Sequence, residues 1–269
     1  MMSFLLLLIL ILLGHAPLVV RSLQASPRSI FVLAGQSNMA GRGGVEENSE
    51  TGQNIWYGFV PHQCESNPSI LRLNADLKWV EAHEPLHADI DVNKTNGVGP
   101  GMAFANTILT KDRELGPVGL VPCAIGGTKI VDWKKGSVLY NQLMRRTKAA
   151  LQGGGMIKAL LWYQGESDTL IQDDAVMYKQ RLEEFFTNVR ADLQYPMLPI
   201  FMVAVESGGT YINMVRQAQL GILLPKVHCV DAQGLLLKPG GLHLTTRSQV
   251  SLGETLARAF LKFSQTSSY

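Results

Sequence analysis

The sequence predicts an α/β protein, a single domain on a five-stranded, doubly wound (flavodoxin-like) parallel sheet. Short apolar runs alternate with helix-like segments, as in successive βαβ units. Each run is nearly continuous rather than alternating, as expected for strands that are buried on both faces. Without the apolar N-terminal stretch, about 245 residues remain, a length that suits one α/β domain.

The order of the elements follows from these runs. The predicted strands are residues 29–35, 118–127, 157–165, 199–205 and 227–232. The predicted helices are residues 102–115, 139–152, 173–193, 211–223 and 246–264. The last helix opens on Thr246-Arg247-Ser248-Gln249, a capping box of the form T-x-x-Q. Residues 41–97 carry Asn, Pro and Gly punctuation, which predicts an irregular excursion over the domain without a core of its own.

The N-terminus has the pattern of a secretory signal peptide. Residues 4–13 form an unbroken apolar run, and small residues such as Ser22 and Ala25 follow it. We therefore expect a signal peptide over about residues 1–25, a mature domain over 26–269, and secretion; a signal anchor is the alternative. The run is shorter than the about 20 residues of a membrane span, so no stable span is expected in the mature chain. Asn93 lies in the sequon Asn93-Lys94-Thr95 and is a candidate glycosylation site.

Charge and cysteine content exclude other classes. The 24 Lys and Arg residues nearly balance the 22 Asp and Glu residues, and no basic block occurs, so neither nucleic acid nor an anionic membrane is an expected partner. Three cysteines, Cys64, Cys123 and Cys229, are too few for a disulfide scaffold. Cys123 and Cys229 lie in apolar strand-like runs, so buried free thiols are the preferred interpretation; one disulfide and one free thiol, in an oxidising compartment, are the alternative.

Polar residues follow three of the predicted strands where each strand ends. Ser37 follows the first, Gly126 and Gly127 follow the second, and Gln164 follows the third. Carboxyl ends of parallel strands share one edge, so a nucleophile, backbone N–H groups and an amide donor should meet there. Acyl transfer needs this combination, because negative charge develops on the carbonyl oxygen under attack. His243, after the fifth strand, is the candidate general base.

Five segments carry a resemblance to a known family: GQSNMAG, GPGMAFA, IGGTKI, WYQGESD and GLHLTT. They resemble the SGNH-hydrolase superfamily and, within it, the carbohydrate esterases with a sialic-acid-O-acetylesterase-like (SASA) domain of secreted plant proteins. The resemblance implies the SGNH-hydrolase fold and a carboxylic ester hydrolase that removes O-acetyl groups from a polysaccharide or oligosaccharide, secreted to the cell wall or apoplast. No cofactor or metal is implied, and the oligomeric state stays open.

The resemblance also implies roles for individual residues. Ser37 matches the nucleophile and His243 the base. The oxyanion donors are the N–H of Ser37, that of Gly127 or, as the alternative, Gly126, and the amide of Gln164.

The acid of the expected triad is the departure from the family pattern. The family usually carries aspartate three residues before the histidine, and here that position is Gly240. Glu166, which the family's Q-G-E segment places near the same sheet edge, is the preferred acid. Asp231, at the end of the fifth strand, and a Ser-His dyad without an acid are the alternatives. Gly240 also supports a rival function, a catalytically weakened or inactive esterase fold that acts as a secreted glycan-binding protein.

One segment matches the sequence pattern of a zinc site but not the helical structure that such a site requires. His83-Glu84-Pro85-Leu86-His87 has the form H-E-x-x-H, which binds zinc when both histidines share a helix face. Pro85 disfavours that helix, so no metal site is expected.

Overall fold

A seven-stranded, mainly parallel sheet organises residues 28–266, the part of the chain that the computed structural model describes. The predicted signal peptide, residues 1–25, lies outside the described residues. The strands are β1 Ser29–Gly35, β2 Val45–Glu47, β3 Asn54–Trp56, β4 Ile70–Leu73, β5 Trp79–Glu81, β6 Val118–Pro122, β7 Met156–Tyr163, β8 Ile200–Ala204 and β9 Val227–Asp231. The strand order in the sheet is β5-β4-β6-β1-β7-β8-β9, and a separate pair is formed by β2 and β3.

All five predicted strands form, and they are adjacent and parallel in the order β6-β1-β7-β8-β9. The predicted count of five was nevertheless wrong for the whole sheet. Strand β4 pairs in parallel with β6, and β5 closes that edge in antiparallel orientation. Both come from the stretch expected to be an irregular excursion. They were missed because strands of three or four residues are too short to display a hydrophobic period.

Helices cover both faces of the sheet. Phe31 of β1 packs on Phe104 and Phe260 with ring centroids 4.9 and 5.0 Å apart. Trp162 of β7 faces the other side, because its neighbour in the β1 register is Ala34, and it packs on Phe185 at 4.6 Å. The α-helices of the described region are α1 Ser37–Ala40, α2 Pro100–Lys111, α3 Val138–Leu151, α4 Gln172–Asp192, α5 Ile212–Leu220 and α6 Thr246–Thr266. No helix in this region is long and apolar enough to cross a membrane.

The cap of α6 differs from the prediction by one residue. Thr245, not Thr246, accepts the N–H of Ser248 at 3.2 Å. Gln249 is fully buried, and its amide atoms have no hydrogen-bond partner within residues 28–266. The helix therefore starts with the Thr245 hydroxyl as its cap, directly after the loop that carries His243.

The cysteines are free, as expected, but they are not equally buried. Cys64 and Cys123 are buried, whereas Cys229 is exposed. The prediction of burial was wrong for Cys229 because β9 is an edge strand, and one side of its apolar run is open to solvent.

The exit from β1 depends on a close approach of two main chains. Gly35 has φ +129°, and a Cβ built on it would lie 2.1 Å from the carbonyl oxygen of Tyr163 in β7. The main chain continues the pairing there, because Gln36 N donates to that carbonyl at 2.8 Å. Only glycine permits this approach, and it delivers Ser37 to the sheet edge.

Gly35→Ala should lower the free energy of unfolding by more than about 3 kcal/mol, because it combines a disfavoured φ with a main-chain overlap. Denaturant unfolding measures the loss. The control is Gly234→Ala, which has φ +86° but no atom within 4 Å of its added Cβ and should cost only about 1 to 2 kcal/mol. Equal losses in the two variants would contradict the close-approach explanation.

Candidate active site

Ser37 and His243 meet at the carboxyl edge of the sheet. Ser37 opens the short helix α1 directly after β1, and His243 lies in the loop between β9 and α6. His243 Nε2 lies 3.1 Å from Ser37 Oγ, within hydrogen-bonding distance. The structure therefore brings together the two residues that the sequence paired as nucleophile and base, in the geometry that proton transfer requires.

A cavity of about 280 Å³ opens above this pair, and we call it the serine cleft. Residues 41–97, the predicted excursion, form part of its wall through Arg42, Val45, Asn54, Lys94 and Thr95. The remaining lining comes from the strand ends and from the His243 loop: Ser37, Gly126, Gly127, Lys238, Leu242 and His243. The excursion is thus part of the site's architecture.

The turn after β6 exposes backbone to the cleft. Gly127 has φ +77°, and nothing lies within 4 Å of the position of a Cβ there. A Cβ on Gly126 would lie 2.6 Å from Arg42 Nη2 and 3.5 Å from Ser37 Cβ, so this glycine keeps room beside the nucleophile. The N–H groups of Ser37 and Gly127 donate to no protein acceptor within residues 28–266. Both remain available as oxyanion donors, the role that the sequence predicts for them.

Gln164 does not reach the cleft, in contrast to its predicted role. It is fully buried, and its Nε2 donates to Thr128 O at 2.9 Å and to Asp168 Oδ2 at 2.6 Å. Asp168 in turn accepts the N–H of Ile130. Gln164 therefore has no free amide N–H for an oxyanion. It supports the Gly127 turn from behind instead, because Thr128 is the residue that follows the turn.

Glu166 lies in a 3-10 helix after β7 and faces Asn38, not His243. Its Oε1 accepts Asn38 Nδ2 at 2.7 Å, and its Oε2 is buried without a hydrogen-bond partner within the described residues. Burial raises the pKa of Glu166 to about 7, against the lowering effect of the Asn38 hydrogen bond. The preferred acid thus makes no direct hydrogen bond to the base in this structure.

The alternative acid, Asp231, is also occupied. Both of its oxygens accept from Arg216 Nη2, at 2.9 and 3.0 Å, on an exposed part of the edge strand β9. Gly240 is exposed, with open space around a built Cβ. His243 Nδ1 consequently has no hydrogen-bond partner within residues 28–266. The described residues thus place His243 beside Ser37 without a carboxylate that bonds to the ring.

The charge around His243 disfavours its protonation. Burial is the main cause that lowers the pKa of His243 to about 4, and the nearby cations Arg42 and Lys238 lower it further. The Lys238 ammonium donates to the carbonyl oxygens of Arg42 and Val45, and no carboxylate among the described residues contacts it directly. The imidazole is therefore mainly neutral near pH 7 and able to accept a proton.

Sequence reasoning missed Arg42, Lys238 and Asn38. Arg42 is buried and held by Asp91 at 2.5 Å and by Asn96 at 2.7 Å, and it lines the serine cleft. Asn38 follows Ser37 directly, but nothing in the local sequence indicates that its side chain contacts the loop of His243.

The metal motif does not form a helical site. Residues 83–87 adopt bends and turns, with His83 exposed and His87 fully buried. Within residues 28–266 no cluster of three or more His, Cys, Asp or Glu side chains is arranged to hold a metal ion.

These features define an α/β protein with a serine-histidine pair and free backbone N–H groups at the carboxyl edge of its sheet. Residues 27–262 match the family described as carbohydrate esterase, sialic acid-specific acetylesterase. The chain belongs to this family and is a carboxylic ester hydrolase of the carbohydrate esterase type. The resemblance noted in the sequence is thereby confirmed.

Individual relatives agree with this assignment. A probable carbohydrate esterase of Arabidopsis thaliana is 54% identical over 236 residues, which cover 87% of this chain and 91% of the relative. An X-ray structure of an Arabidopsis thaliana protein is 53% identical, with a TM-score of 0.86 over 88% of this chain and 98% of that one.

Two more distant structures share the fold. NanS superposes with a TM-score of 0.70 at 17% identity, over 90% of this chain and 99% of that one. A carbohydrate acetylesterase from Xanthomonas citri does so with a TM-score of 0.62 at 20% identity, over 86% of this chain and 55% of that one.

Lys238→Met should raise the pKa of His243 toward its ordinary value, because it removes one of the cations that disfavour the imidazolium. An NMR titration of the His243 ring measures this change against a starting pKa of about 4. Lys94→Met is the control, since Lys94 lines the same cleft but is not among the groups that act on His243. The explanation fails if the two variants change the pKa equally.

Proposed function

We propose that this protein is a secreted serine esterase that removes O-acetyl groups from carbohydrate through an acyl-enzyme intermediate. The observation that carries the proposal is the 3.1 Å contact between His243 Nε2 and Ser37 Oγ at the serine cleft. Membership in the carbohydrate esterase family supplies the substrate class.

The chemistry has two halves. Ser37 Oγ attacks the acetyl carbonyl carbon while His243 Nε2 takes the hydroxyl proton, and the N–H groups of Ser37 and Gly127 stabilise the oxyanion. His243 then returns the proton to the leaving sugar oxygen as the ester bond breaks. In the second half, His243 Nε2 accepts a proton from water as the water oxygen attacks the acetyl carbonyl carbon, and it returns that proton to Ser37 Oγ as the acyl–serine bond breaks and acetate leaves. No cofactor takes part in this proposal.

The substrate occupies two connected spaces in this proposal. The serine cleft has room for the acetyl group and part of the sugar that carries it. A second cavity of about 650 Å³ shares Val45, Asn54, Lys238 and His243 with the cleft. That space suits neighbouring sugars of a polysaccharide or oligosaccharide chain.

Secretion to the cell wall or apoplast is part of the proposal and rests on the N-terminal apolar run. One feature of the described chain supports it: Asn93, the acceptor of the sequon, is exposed.

A second candidate function is glycan binding without turnover, and the unpartnered His243 Nδ1 favours it. An acid at Nδ1 holds the tautomer and stabilises the imidazolium, and its conversion to an amide in Ser-His-Asp proteases costs about 10⁴-fold in turnover. A dyad with a lowered base pKa is therefore a slow catalyst at best. The two candidates differ in whether Ser37 reacts.

Ser37→Ala should abolish acetate release from 4-nitrophenyl acetate and from an acetylated oligosaccharide, because it removes the nucleophile. The control is Ser167→Ala, at the neighbouring strand end, which should retain turnover. Labelling of the wild-type protein by a fluorophosphonate should occur at Ser37. A folded wild-type protein that binds acetylated glycan but neither turns over nor labels would establish the binding function instead.

Gly240→Asp should raise turnover at pH 7 by at least about tenfold, since it restores a carboxylate at the position where the family carries one. The matched control is Gly241→Asp, which adds the same charge one residue later at a similarly open position with φ +69°. Turnover that rises equally in both variants, or in neither, would contradict the hypothesis that a carboxylate at position 240 can act as the acid partner of His243.

A further inference from the structure

We infer that Asn38 is the positioning residue of His243 and that Glu166 orients the Asn38 amide, so that main-chain contacts hold the base in place of a triad acid. The inference rests on the proposed function, because it assigns these residues a part in the Ser37 reaction. It gives Glu166 a role that differs from that of a triad acid.

Asn38 contacts the main chain on both sides of His243. Its Nδ2 donates to the carbonyl of Leu242 at 3.2 Å, and its Oδ1 accepts the N–H of Leu244 at 3.0 Å. Asn38 itself is fully buried and directly follows Ser37 in α1. One side chain thus ties the nucleophile's helix to the two peptide groups that flank the base.

The two contacts require one orientation of the amide. With the amide rotated by 180°, Oδ1 would face the Leu242 carbonyl and Nδ2 would face the Leu244 N–H, and neither hydrogen bond could form. Glu166 Oε1 accepts Nδ2 at 2.7 Å and so selects the productive orientation. Glu166 Oε2 has no hydrogen-bond partner within residues 28–266, so the Glu166 side chain acts on the site through Oε1 and Asn38.

Another contact supports the same loop. Ser207 Oγ donates to the Leu242 carbonyl at 2.5 Å, so that carbonyl is held from two directions. Within the described residues the His243 ring has no such support at Nδ1, and its location therefore follows from its own main chain. Displacement of a base by about 1 Å can lower the rate 10²-fold. The contacts that hold the main chain on both sides of His243 are therefore relevant to turnover.

Glu166→Gln separates this role from that of a triad acid. Glutamine retains an oxygen that accepts Asn38 Nδ2, so kcat should fall by less than about tenfold. A triad acid changed to its amide would lower kcat by about 10⁴-fold. A decrease of that size in Glu166→Gln would overturn the inference.

Asn38→Leu should lower kcat by about 100-fold with little change in KM, because both hydrogen bonds to the His243 loop disappear while the cleft lining remains. The control is Asn106→Leu. Asn106 also ties a loop through two carbonyls, those of Gln63 and Glu65, but away from the serine cleft, so its replacement should lower Tm without changing kcat. Equal kcat values for Asn38→Leu and wild type would overturn the inference.

Exchanging the carboxyl and amide groups between residues 38 and 166 distinguishes the proposed contact from a general loss of folding. Asn38→Asp places two carboxyl groups against each other and should be slow, because an aspartate side chain has no N–H to donate to the Leu242 carbonyl. Adding Glu166→Gln supplies an amide donor to the new carboxylate, and kcat should recover by about tenfold over the single variant. Failure of the second change to rescue kcat, at comparable Tm, would contradict the pairing.

One readout does not depend on turnover. The His243 ring signals in heteronuclear NMR should broaden or double in Asn38→Leu and stay single in Asn106→Leu. Ring signals unaltered in Asn38→Leu would overturn the inference even for a protein without esterase activity. If the wild type shows no Ser37-dependent turnover but the ring signals change in Asn38→Leu as expected, the proposed function is wrong and the positioning role of Asn38 still holds.

Discussion

The contact between His243 Nε2 and Ser37 Oγ joins residues 206 positions apart, and much of the structure serves to hold it. The close approach of β1 and β7 at Gly35 sets the direction in which Ser37 leaves the sheet. The loop after β9 delivers His243 to the same edge. Since parallel strands present their carboxyl ends on one side, two distant segments meet without an unusual chain path.

The environment of this contact disfavours a positive charge on the His243 ring. Burial and two nearby cations act against protonation of His243, and no carboxylate bonds its other ring nitrogen within the described residues. With this lowered pKa the ring stays mainly neutral near pH 7 and can accept a proton, but no carboxylate within the described residues bonds to the imidazolium that would then form. Turnover in such a site depends on the placement of the base and on the oxyanion donors more than on proton affinity.

The polar residues behind the strand ends act on main chain more than on substrate. Gln164 with Asp168 holds the turn that carries Gly127, and Asn38 with Glu166 holds the loop that carries His243. In both pairs a buried carboxyl orients an amide, and the amide contacts a backbone group next to a functional residue. A buried amide with a partner on every polar atom is fixed in one orientation, which makes it a suitable support.

The sequence by itself determined the strand-helix alternation, the five central strands and the pairing of Ser37 with His243. Buried strands carry continuous apolar runs, and chemistry at a sheet edge needs particular residue types at strand ends. The tertiary structure alone decided that Gln164 points inward, that Glu166 faces Asn38, and that β4 and β5 extend the sheet. The reason is that side-chain direction and the partners of a buried polar group depend on residues far away in the chain, such as Thr128 for Gln164. The sequence of residues 164–168 would be the same whether Gln164 donated to a substrate in the serine cleft or supported the turn behind it. Only the packing of the side chain distinguishes the two cases.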